Sequence, residues 1–194
     1  MTEPTLRVEH LSMHFFTRQG VVKAVDDVSF SVGPGKILGL VGESGSGKSM
    51  TGYSIMGLVD PPGRVVAGRI LLGGRDLRTL APEAMRNIRG NRVAMIFQDP
   101  MMTLNPVLRV DTQMVEAIQA HAGVSRAAAL ERARGALERV GIPAPAERLK
   151  AYPHQFSGGM RQRVAIAIAL LLTIVGINLV ADQLRDVLNP RLQR

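Results

Sequence analysis

Apolar and polar positions along this chain follow two rhythms. Over the first third they form short runs bounded by glycine and proline, and over the middle they recur at helical spacing. Leu6–His10 and Ala24–Val32 read as strands separated by the turn-like Thr17-Arg-Gln-Gly20, and the second, AVDDVSFSV, alternates toward its end as a half-buried strand does. Gly33-Pro-Gly35 is a turn, and Lys36-Ile-Leu-Gly-Leu-Val41 is an apolar run of the kind found in a buried strand. A helix is predicted from Lys48 to about Leu58, a break at Pro61-Pro-Gly63 and an edge strand over Arg69–Leu72. A short helix over Pro82–Ile88 and an apolar strand over Arg92–Phe97 follow. Val110–His121 and Ser125–Val140 are rich in Ala, Arg and Glu at helical period, and Gly141-Ile-Pro-Ala-Pro145 closes that stretch. Strands followed by helices predict an α/β core with a helical lobe at about residues 99–157.

Between the predicted strand ending at Val41 and the helix beginning at Lys48 lies Gly42-Glu-Ser-Gly-Ser-Gly-Lys-Ser49, a full match to G-x-x-x-x-G-K-[ST]. Gly42, Gly45 and Gly47 let the backbone curl so that N–H groups around Glu43, Ser44 and Ser46 point at one phosphate. The following helix offers its positive end to the same anion. Lys48 can reach the outer phosphates, and Ser49 can hold Mg²⁺, which prefers hard oxygen ligands. A glycine-rich turn with an incidental lysine is the alternative, and the strand–loop–helix setting argues against it. The loop alone does not separate ATP from GTP.

Composition narrows the remaining classes. Apolar residues make up 46% of the 194, enough for a core that is aliphatic because aromatics are only 4%. Cys is absent, which removes disulfides and thiol-based metal sites and is compatible with a reducing compartment. A net charge of +8 suits polyphosphates, nucleic acid or an anionic membrane face equally. The start, MTEPTLRVEH, is polar and mixed in charge, unlike a signal peptide.

Phe156-Ser-Gly-Gly-Met-Arg-Gln-Arg163 is a second anion-ready turn opening a helix, although a plain serine cap explains it equally well by itself. With Val41–Ser49, Ile96-Phe-Gln-Asp-Pro100, Leu104-Asn-Pro106 and Tyr152–Val164, it makes residues 5 to about 170 resemble the ATP-binding subunits of ABC transporters of the dipeptide and oligopeptide importer type. The resemblance implies an α/β P-loop NTPase core with an antiparallel β edge subdomain and a helical subdomain, incomplete at its C-terminus. It implies ATP and Mg²⁺ as ligands, a cytoplasmic membrane-face location, membrane permease subunits as partners and no nucleic acid. Gln98 matches the glutamine that senses Mg²⁺ and the attacking water, though by itself it reads as a polar strand end. Ser157, Gly158 and Gly159 match the signature that caps ATP held by a second ATP-binding subunit in a head-to-tail dimer. Phe15 or Phe16 matches the aromatic that stacks on adenine, and either fits the core of the first strand equally.

From Val164 to Ala181 the chain carries no charge. A family member is expected to continue here into a strand ending in Asp-Glu, then to a switch histidine, parts on which phosphoryl transfer depends. Three readings compete. Leu179-Val-Ala-Asp-Gln183 is a worn form of that strand, with Asp182 for Mg²⁺ and Gln183 where the base belongs; or the segment is an amphipathic closing helix. The third is preferred. Residues 171–194, with Asn178, Leu179, Asp182, Leu184, Arg185, Asp186, Pro190 and Arg191, resemble the C-terminus of the partner permease, joined near Ala169–Leu172 to a domain covering 1–170. The uncharged run approaches the roughly 20 residues of a membrane helix, but its first part, Val164–Leu170, belongs to the signature helix, and spanning is not favoured. Hydrolysis is expected to be impaired and the isolated chain marginally stable.

Overall fold

A computed structural model describes residues 3–97, 103–172 and the backbone of 177–180. The chain forms two compact units, residues 1–86 and 87–194.

The first unit is an antiparallel sheet in the order β2-β1-β3-β4, with β1 Leu6–Thr17, β2 Gly20–Val32, β3 Gly63–Leu72 and β4 Arg75–Asp76. One face buries Leu6, Val8, Leu11, Met13, Val25, Ile70 and Leu72, together with Ile55 and Met56 of helix α1 (Lys48–Met56). Leu6 and Val8 are even-numbered and Leu11 and Met13 odd, so β1 must slip by one residue between them to keep its apolar side chains inward. The slip is a bulge at His10 (φ 50°), matched by Asp27 (φ 51°) on β2 and Gly68 (φ 92°) on β3. His10 N donates to Ser29 Oγ (2.8 Å) and Asp27 N to Ser12 Oγ (3.0 Å), which satisfies donors that the broken ladder leaves free. The bulge is why the alternation predicted a strand only to His10 while the observed strand continues to Thr17. Helix α1 ends at Met56, two residues before the expected Leu58, because the left-handed backbone of Gly57 (φ 62°) turns the chain.

The strand expected at Lys36–Val41 is absent. No described residue pairs with it, and Ile37 and Val41 are 100% and 92% exposed. An apolar run of this kind is stable as a strand only when neighbouring strands accept its N–H and C=O groups.

In the second unit, α3 (Val110–Gln119), α4 (Arg126–Arg139), the single turn α5 (Pro145–Arg148) and α6 (Gly158–Leu172) enclose a core. On α3 this core takes Val110, Met114, Val115 and Ile118, spaced as one helical face. On α4 it takes Ala129, Ala133, Ala136 and Leu137, the small alanines letting neighbouring helices approach. Ser125 caps α4 by accepting from Ala128 N (3.2 Å). On the exposed side of α4, Arg134 lies between Glu131 and Glu138, and its hydrogen bond holds the Glu131 carboxyl below the usual carboxylate range.

Two strands, β5 (Val93–Ile96) and β6 (Ile177–Val180), pair in parallel, Val93 with Ile177 through Ile96 with Val180. Ala94 and Ile96 pack with Ala169 and Ile166 of α6. The described residues of the uncharged run are therefore helix to Leu172 and strand over Ile177–Val180, and they form no continuous helix. Among the described residues no helix is long and apolar enough to cross a membrane. Asp182 and Gln183 lie outside the described residues, as does the rest of the tail. Helix α2 (Pro82–Ile88) runs across the boundary of the two units.

Two glycines are expected to answer substitution with opposite signs. A Cβ at Gly68 would meet the His10 carbonyl at 2.5 Å in a left-handed backbone, so Gly68→Ala should cost roughly 1–3 kcal/mol. Gly135, inside α4 with nothing within 4 Å of its added Cβ, should gain about 0.5–1 kcal/mol as Ala. Urea denaturation of both variants measures this.

Candidate phosphate site

Helix α1 begins directly after a loop shaped by its glycines. Gly45 (φ 82°) and Gly47 (φ 87°) both adopt left-handed backbones. Gly47 has no room for a side chain, since an added Cβ would collide with the Ala24 carbonyl of β2 and touch Val25 Cγ2 at 3.5 Å. The loop is thus seated on the sheet at its C-terminal end. Ser46 N donates to Glu43 O (3.2 Å), closing a turn inside it. The Thr51 hydroxyl and N–H both bond to Gly47 O (3.0 and 2.8 Å), fixing the first turn of the helix.

The Lys48 ammonium arches back over the loop, donating to Gly42 O and Glu43 O at 2.8 Å each and lying 3.4 Å from Ser46 Oγ. The N–H groups of Gly45, Gly47 and Ser49 have no acceptor among the described residues. Free donors, a lysine ammonium and the start of an α-helix together form a cradle for an anion with several oxygens. Ser44 and Ser49 are exposed at its mouth. The donor set fits a polyphosphate.

The bulge in β1 separates the two candidate aromatics. Phe15 follows Met13 on the face that carries α1, and a Cβ at Gly63 would meet Met13 Cε at 2.7 Å, Phe15 Cε1 at 2.8 Å and Val59 Cγ1 at 2.9 Å. Val25, which backs Gly47, pairs with Met13 on that same face. Phe16 points to the opposite face, where the Arg64 guanidinium lies 3.9 Å over its ring. Phe15 is therefore the aromatic that shares a face with the loop.

Ser157, Gly158 and Gly159 open α6 in the second unit. Ser157 Oγ accepts from Met160 N (3.3 Å) and its carbonyl from Arg161 N (2.9 Å), while added Cβ atoms at Gly158 and Gly159 would meet nothing within 4 Å. The turn before it is braced by Gln155, whose Oε1 accepts from Tyr152 N (2.8 Å). That brace escaped the reading of the sequence, although the spacing of Tyr152 and Gln155 is that of a capping box. Gln98 lies outside the described residues.

The glycine-shaped loop, the helix that follows it and their anion cradle define a P-loop nucleotide-binding protein. A family model described as ABC transporter matches residues 25–174, and the chain belongs to the ABC transporter ATP-binding family. It is 50% identical over 165 residues to the dipeptide transport ATP-binding protein DppD of Escherichia coli K12, covering 85% of this chain and 50% of that one. It is 49% identical over 166 residues to the oligopeptide transport ATP-binding protein OppD of Bacillus subtilis 168, covering 85% and 46%. The chain thus spans about half the length of the curated relatives it matches. Among solved structures, the ATP-binding cassette MJ0796 in a post-hydrolysis state with ADP and Pi superposes with a TM-score of 0.75 at 23% identity, covering 86% of this chain and 69% of that one. An ATP-binding subunit of an ABC transporter superposes with a TM-score of 0.66 at 30% identity, covering 87% and 62%. The fold is that of an ABC ATPase cassette.

Gly47→Ala is expected to destabilise the chain by roughly 1–3 kcal/mol, from backbone strain alone, and to loosen the loop from β2. Chemical denaturation, with hydrogen exchange of the Ala24–Val25 amides, measures both.

Proposed function

We propose that this chain is the nucleotide-binding part of an ATP-binding subunit that drives import of peptides or related solutes. The observation that carries this is the cradle at Gly42–Ser49, with its free N–H groups and the Lys48 ammonium held over it. The names of the relatives support ATP as the nucleotide and peptides as the solute class. Gly42, Glu43, Ser44, Gly45, Ser46, Gly47 and Lys48 would hold the phosphates, and Ser49, with Gln98, would hold Mg²⁺. Bound Mg²⁺ would neutralise phosphate charge. Phe15 would stack on adenine. Ser157, Gly158 and Gly159 would close the nucleotide site of a second ATP-binding subunit arranged head to tail, and Gln98 would couple the site to membrane permease subunits at the cytoplasmic face.

Turnover is the finer part of the proposal. We read residues 1–170 as the ATP-binding domain and 171–194 as a permease-like tail. Whatever its ancestry, the tail contains β6, parallel to β5, and Asp182 and Gln183 follow that strand closely in the sequence. A glutamine cannot accept a proton from water at neutral pH, so the chain holds MgATP and hydrolyses it slowly. A non-hydrolysing module that docks on a permease is the second reading, favoured by the same glutamine.

The test is MgATP titration with phosphate release on the whole chain. Saturable binding is expected, weakened at least about tenfold by Lys48→Ala, a change corresponding to about 1.4 kcal/mol. Slow phosphate release is expected to rise by roughly 10²–10⁴ in Gln183→Glu, the range that a positioned base contributes. Absence of nucleotide binding by a folded chain would refute the proposal. Fast release that Gln183→Glu leaves unchanged would refute its finer part, and no release from either variant would favour the docking module.

A further inference from the structure

On the face of the first unit's sheet opposite its apolar core, Arg7 and Glu9 project from β1. Arg7 pairs across the ladder with Leu71 and Glu9 with Arg69 on β3. Glu3 and Pro4 cross this end of the sheet, and an added Cβ at Gly74 would meet Glu3 Oε1 at 2.7 Å. Together they shape a cleft of about 200 Å³ lined by Glu3, Pro4, Arg7, Glu9, Arg69 and Leu71. Leu71, though on this outer face, is buried.

The charges in the cleft are close without being bonded. Arg7 to Glu9, Arg69 to Glu9 and Arg69 to Asp76 each measure 3.6 Å, beyond hydrogen-bond length. Neither guanidinium donates a side-chain hydrogen bond, and neither Glu3 nor Glu9 accepts one, among the described residues. Arg7, Glu9 and Arg69 are 46%, 31% and 61% exposed, so the groups remain reachable. Loose surface pairs of this kind add little to stability, and their donors and acceptors are free for a ligand. Two cations and two carboxylates line the cleft and Asp76 lies beside Arg69, so a bare anion gains no net attraction. A molecule with both charges side by side gains at both ends, since a carboxylate fits the planar donors of arginine.

We propose that this cleft binds a small zwitterion, a free α-amino acid, with its carboxylate on Arg7 and Arg69 and its ammonium on Glu3 and Glu9. Pro4 and Leu71 supply apolar surface for a short aliphatic side chain. The volume admits one amino acid. The site lies outside the phosphate cradle, and the proposal does not depend on the nucleotide reading.

Isothermal titration of the whole chain with L-leucine, leucine amide, N-acetyl-leucine and inorganic phosphate tests it. Saturable leucine binding is expected, with both single-charge analogues at least about tenfold weaker and phosphate without effect. Arg69→Gln should weaken leucine about tenfold or more, leaving far-UV circular dichroism and MgATP affinity unchanged; Arg7→Gln serves if that variant fails to fold. No saturable binding up to about 10 mM leucine, equal binding of N-acetyl-leucine or phosphate, or undiminished binding in a folded arginine variant would each overturn the proposal.

Discussion

The close approach of Gly47 to the Ala24 carbonyl is the constraint on which the first unit's chemistry depends. A loop that binds phosphate through backbone N–H groups must hold several peptide planes in a fixed fan, and such a fan has no core of its own. Here its stiffness is borrowed from β2. Gly47 seats the end of the loop on the strand, Thr51 fixes the first helical turn to Gly47, and helix α1 buries Ile55 and Met56 against the same sheet face. The bulge at His10, Asp27 and Gly68 belongs to this arrangement, because it returns Leu11, Met13 and Phe15 to the face that carries α1.

The phosphate loop was legible in the sequence because its conformation is local. Gly45 and Gly47 adopt left-handed backbones that other residues rarely reach, and Lys48 follows from the motif. The helical lobe was legible too, since α3 and α4 repeat their apolar positions over several turns. Lys36–Val41 was misread because a central strand is a property of its neighbours as much as of its residues. The apolar texture was there, but no described strand takes up its hydrogen-bonding groups. The run from Val164 to Ala181 admits several readings for a related reason. A buried helix and a buried strand are equally apolar, so composition cannot mark the change from α6 to β6 after Leu172.

Phe15 and Phe16 could not be separated in the sequence, because alternation counted from Leu6 assigns the wrong parity beyond a bulge. No residue near His10 announces that bulge by type, since neither His10 nor Asp27 is a glycine although both adopt left-handed backbones. The loose charges of the outer face were equally silent. Arg7, Glu9 and Arg69 look like ordinary surface residues until strand pairing brings them together.

The Lys48 ammonium already has partners. It rests on the carbonyls of Gly42 and Glu43, so an incoming phosphate exchanges contacts with the loop rather than adding to an idle charge. The lysine's net contribution to affinity is the difference between two hydrogen-bonded states, and much of the intrinsic attraction cancels. The loop thus sets its own threshold. A ligand with one or two phosphate oxygens in reach would gain little from displacing the carbonyls, whereas a longer polyphosphate would engage the ammonium and the free N–H groups at once. Discrimination by chain length would then arise inside eight residues, without a separate gate.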